Sequence, residues 1–134
     1  MCESFYKPTL QTKFNERGNC LSAVIATLFD VNIDDVPFFS DNDETWAFEL
    51  SDWFAGRFGK YVVPVNLSEP EHYRLFCGSM VITSINSDNP MVARHAVISE
   101  KGRIIFDPMV GEVDKELKPE MKPTFFILGN TINR

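Results

Sequence analysis

A change of hydrophobic period near the middle of the chain constrains the fold more than any other feature. Leu21, Val24, Ile25, Leu28 and Phe29 fall at i, i+3, i+4, i+7 and i+8, which sets them on one stripe of an α-helix. Trp46, Leu50, Trp53 and Phe54 repeat the pattern, after N-cap candidates in Ser40-Asp41-Asn42-Asp43-Glu44 and before a stop at Gly59. A second helix is predicted from about Asp43 to Phe58, with its tryptophans in the core. Beyond Gly59 the apolar runs become short and rich in β-branched or aromatic residues: Tyr61 to Leu67, Met80 to Asn86, Arg94 to Ser99, Arg103 to Phe106 and Thr124 to Leu128. These read as strands. Helices followed by strands is the α+β pattern, with helices lying on a mainly antiparallel sheet.

The connections are less regular. Residues 1 to 17 carry no sustained period and form a loop or short strand ending at Gly18. Asp30 to Phe39 fits a short turn of helix and a connector, because Pro37 extends the residue before it. Ser68 to Leu75 can form a short surface helix with Pro70 in its first turn, leaving His72 solvated. Ser87 to Pro90 is a loop by composition, and so is much of Asp114 to Pro123 with its alternating charges.

With 134 residues, 44% of them hydrophobic, the chain suits a single domain over residues 1–134. The net charge of -6 and a pI near 4.8 weigh against nucleic acid, whose phosphates want clustered Lys and Arg. No run reaches the length of a membrane span, and Met1-Cys2-Glu3-Ser4-Phe5 lacks the basic-then-apolar layout of a secretion signal. No membrane association and a cytoplasmic location are expected. The three cysteines, Cys2, Cys20 and Cys77, are an odd number and are expected to be free thiols. No C-x-x-C occurs and only two histidines are present, so neither a metal nor another cofactor is expected.

Chemistry concentrates at Cys20, which opens the first predicted helix. The amides of a first helical turn lack partners and the helix dipole is positive there, so a thiolate is favoured over a thiol. The same cysteine can equally be small apolar packing. Glu100-Lys101-Gly102 joins two predicted strands, and as a three-residue loop it pairs Ser99 with Arg103 and Val97 with Ile105, bringing His95 directly opposite Asp107. A two-residue turn at Lys101-Gly102 slips the pairing by one and sends the two side chains to opposite faces. Alone, His95 fits a core histidine and Asp107 a turn residue before Pro108. Together with Cys20 they form a nucleophile, a general base and the carboxylate that orients it. The backbone amide of Cys20 can serve a developing oxyanion, with the side chain of Gln11 or Asn19 as the second donor.

Gln11, then Gly18-Asn19-Cys20, then Arg94-His95-Ala96-Val97, then Phe106-Asp107-Pro108 resembles the order of functional residues in papain-like cysteine peptidases. The likeness is to the small bacterial and phage proteins similar to the bacteriocin-processing peptidases. It spans residues 11 to 108, and Leu28 to Pro37 also looks like the connector of the small phage-type members. The resemblance implies a papain-like fold, with the nucleophile on a helix packed against an antiparallel sheet that carries His and Asp. It implies Cys20 as nucleophile, His95 as base and acid, Asp107 as its orienting group and Gln11 as oxyanion donor. The implied activity is a thiol hydrolase cleaving a peptide or isopeptide amide in a protein or peptide substrate, in the host cytoplasm if phage-encoded. Two alternatives stay open: a catalytically weak or silent protein that binds a host protein through its acidic surface, and an acyltransferase or deamidase using the same triad.

Overall fold

A computed structural model describes residues 8–10, 20–37, 46–67, 69, 72, 80–86 and 94–130. Helix α1 (Cys20–Phe29) and helix α2 (Trp46–Phe58) precede six strands: β1 (Lys60–Asn66), β2 (Val81–Asn86), β3 (Arg94–Glu100), β4 (Arg103–Asp107), β5 (Gly111–Glu116) and β6 (Thr124–Asn130). The strands form one sheet in the order β1-β6-β2-β3-β4-β5, with every neighbouring pair antiparallel. The chain is α+β, as its change of period predicts.

Both helices cover one face. Val24 and Ile25 of α1 and Leu50 and Phe54 of α2 share a buried cluster with Ile82, Ala96, Ile98, Phe106 and Phe126 of the sheet. The registers Ile82↔Ile98, Ile82↔Phe126 and Ile98↔Phe106 put these sheet residues side by side on that face. Phe29 ties the helices together, stacking on Phe58 at 4.8 Å and meeting the edge of Phe54 at 5.3 Å. Trp53 packs edge-on against Phe54 and Phe58, which is the core role read for it, and α1 lies over β3. The opposite face holds a smaller cluster of Val81, Ile85, Val97, Ile104, Leu117 and Phe125.

The helix ends follow local chemistry. Asp30, at φ 55°, takes the left-handed position after α1, and the Val31 N–H closes back on the Ala26 carbonyl at 3.1 Å. Gly59, at φ 64°, ends α2 as its position predicts. The expected helical turn in the connector is Ile33–Asp35, capped by the Asn32 side chain on the Asp34 N–H at 2.9 Å. His72 is helical and exposed, while most of the segment read as a surface helix around it lies outside the described residues.

Two expectations are corrected. Residues 111–116, partly assigned to a charged loop, form the edge strand β5. Its residues Glu112, Asp114, Lys115 and Glu116 are exposed, so no apolar period announces it; such charge is what keeps an edge from pairing with other chains. The β3–β4 connection is the two-residue turn rather than the three-residue loop: Glu100 pairs with Arg103, and Lys101 and Gly102 have φ of 53° and 80°. That two-fold positive φ is the turn whose twist matches paired strands.

Candidate active site

The observed turn alone turns Asp107 away from His95. A bulge reverses this. The ladder runs Glu100↔Arg103 and Ser99↔Ile104, then resumes at Ile98↔Phe106, so Ile105 is an extra residue on β4. Ile105 and Phe106 both join the cluster under the helices, and strand alternation carries Asp107 to the other face. Continuing the last pairing by one step sets Asp107 across from Val97, diagonal to His95 on the same face. The side chains close this diagonal with His95 Nε2 and Asp107 Oδ1 2.8 Å apart.

Asp107 also organises its own turn. Its Oδ1 accepts from the Met109 N–H at 2.9 Å, and its carbonyl accepts from the Val110 N–H at 3.0 Å. The turn residue and the histidine partner are thus one carboxylate. Burial pushes its pKa up, but the hydrogen bonds from His95 and Met109 and the nearby positive charges outweigh this, holding it below the ordinary 3.8.

Cys20 is a half-buried free thiol at the first residue of α1. Ser22 and Thr27 brace the helix: Ser22 Oγ donates to the Pro37 carbonyl at 3.1 Å, and Thr27 Oγ1 accepts from the Thr9 N–H at 2.8 Å. The sulfur reaches β3 just past the end of the β3–β4 ladder, where it accepts the Ala96 N–H at 3.5 Å. It also lies close enough to the His95 ring to influence its titration. Burial acts against the imidazolium, yet hydrogen bonds to Asp107 and Cys20, with their charges, raise the His95 pKa from 6.5 to about 9. A ring so placed carries a proton at neutral pH and can hand it to a neighbouring atom.

The structure therefore brings Cys20, His95 and Asp107 together. Gln11 and Asn19, the two candidates for the second oxyanion donor, lie outside the described residues, as do Cys2 and Cys77. Two participants had no signal in the sequence: the Ala96 N–H, a backbone group, and the bulge at Ile105. Around Asp107 the surface is apolar, with Met109 and Val110 exposed and Leu10 lying beside Gly111. Among the described residues no group of three or more His, Cys, Asp or Glu side chains is arranged to hold a metal ion, and no helix is long and apolar enough to cross a membrane.

Compared with known proteins, the chain matches no family model, no curated protein and no solved structure.

Proposed function

We propose that the protein is a papain-like thiol hydrolase that cleaves an amide bond in a protein or peptide through Cys20, His95 and Asp107. The observation that carries this reading is the convergence of a helix-start sulfur and a carboxylate beside one imidazole: Asp107 bonds Nε2 at 2.8 Å, and the Cys20 sulfur, held on the Ala96 N–H next to His95, helps raise the pKa of the ring.

In this reading the Cys20 thiolate attacks the carbonyl carbon and a tetrahedral oxyanion forms beside the first turn of α1. The Cys20 N–H, which has no partner within the helix, donates to that oxyanion, and the second donor is a side-chain amide, Gln11 by the family resemblance or else Asn19. His95 gives its proton to the leaving nitrogen, the C–N bond breaks, and a thioester remains on the sulfur. Acylation removes the negative charge that helped hold the proton on His95, while the burial opposing it persists. The ring then becomes the base that takes a proton from water. Water attacks the thioester, the C–S bond breaks, and the sulfur leaves again as thiolate. The apolar rim of Leu10, Met109 and Val110 offers contact to an apolar side chain of the substrate.

An activated ester tests the chemistry without knowledge of the natural substrate. With p-nitrophenyl acetate, intact-mass measurement should show one acetyl group on Cys20 and a burst of nitrophenolate, slowed roughly 100-fold in His95→Ala. Acetylation spread evenly over the cysteines, or unchanged in His95→Ala, rules the triad out.

A further inference from the structure

Resting on that hydrolase reading, we infer that Arg94 is a positioning residue that clamps the His95 end of β3. Its guanidinium makes five contacts. Nε donates to Ser84 Oγ at 3.0 Å and Nη1 to Asn86 Oδ1 at 2.8 Å. Nη2 donates to the Ser84 carbonyl at 2.8 Å, to the Lys122 carbonyl at 2.7 Å and to Thr124 Oγ1 at 3.3 Å. Thr124 Oγ1 in turn donates to Asn66 Oδ1 at 2.6 Å. One side chain on β3 is thereby fastened to β2, to the start of β6 and, through Thr124, to β1.

All five acceptors are neutral, and among the described residues no carboxylate pairs with Arg94. Burial accordingly lowers its pKa. A half-buried guanidinium held, among the described residues, by neutral acceptors costs stability unless its donors are well satisfied, so the arrangement calls for a local reason. The reason is the place where β3 loses a neighbour. The β3–β4 ladder ends at Ile98↔Phe106, and the stretch beyond it carries both His95 and the Ala96 N–H that holds the Cys20 sulfur. That stretch keeps its β2 pairing, Ile85↔His95 and Asn86↔Arg94. Arg94 adds a second fastening at its free tip. By alternation its side chain lies on the face opposite His95, so it acts through the backbone and touches none of the reacting atoms. A planar fork with donors in fixed directions suits this task, and a lysine ammonium does not reproduce it.

The test compares Arg94→Ala, Arg94→Lys and His95→Ala with the unaltered chain, after circular dichroism shows each variant folded. The readouts are the His95 titration by NMR and the rate of Cys20 acetylation by p-nitrophenyl acetate at neutral pH. Both Arg94 variants should move the His95 midpoint from about 9 toward 6.5 by a unit or more and slow acetylation about 10-fold. A folded Arg94→Ala with the His95 midpoint unmoved and acetylation within about two-fold overturns the positioning role. Full recovery by Arg94→Lys overturns it too, since charge rather than geometry would then be at work. Should Arg94→Ala not fold, the pair Asn86→Ala and Thr124→Val removes two acceptors and should shift both readouts in the same direction; no shift overturns the inference. If acetylation is indifferent to His95→Ala, the hydrolase reading itself falls, and the NMR midpoint alone decides on Arg94.

Discussion

Asp107 carries two duties on one oxygen, and both follow from its position at the end of β4. Oδ1 accepts from Met109 and bonds His95, so the turn that follows the strand also fixes the carboxylate that holds the ring. An amide in its place cannot accept from both donors with the same charge, and it withdraws two of the influences that keep the proton on His95. Asp107→Asn is therefore expected to lower the His95 pKa from about 9 and to reduce amide cleavage roughly 100-fold. In the proposed mechanism a proton on His95 goes to the leaving nitrogen, so wild-type cleavage should fall as pH rises through about 9, and in Asp107→Asn that fall should begin at lower pH. A rate profile over alkaline pH checks it; identical alkaline limbs would mean that Asp107 does not govern the ring.

The hairpin of β3 and β4 is the element on which the site depends. Its residues pointed to a pairing of His95 with Asp107, and the pairing is present, but by a different route. Gly102 fits either turn length, so the loop could not be chosen from glycine alone, and the bulge at Ile105 is invisible because Ile104, Ile105 and Phe106 are all apolar. A period-two pattern that is apolar throughout hides which residue is extra. The turn also holds a mild strain: Lys101 sits at φ 53°, a region that asparagine tolerates better. Lys101→Asn is expected to stabilise the fold by about 0.5–1 kcal/mol, read as a higher urea midpoint with an unchanged slope. A lower midpoint would contradict the turn assignment. β5 carries no apolar signal for the opposite reason, since its charged residues leave Val113 as the one large apolar side chain in Gly111–Glu116.

At the scale of the molecule, the two periods in the sequence became two layers. Apolar spacing reported α1, α2 and the layer between helices and sheet, because burial demands it on one face of each element. It did not report the strand order or the gap where β3 and β4 part, which arise from pairings between distant segments. The layers also explain why the site lies where it does: α1 crosses β3, so its first residue lands at the end of the β3–β4 ladder and Cys20 meets Ala96 and His95 there. The measurement that bears most directly on this convergence is the rate of iodoacetamide alkylation at Cys20 at pH 6, followed by peptide mass spectrometry. An ordinary cysteine is only about 0.3% thiolate at that pH. Cys20 in the folded chain should react at least about 10-fold faster than in the urea-unfolded chain, and His95→Ala should abolish the advantage. Equal rates in folded and unfolded protein, or an advantage that survives the loss of His95, would contradict a sulfur activated by that ring.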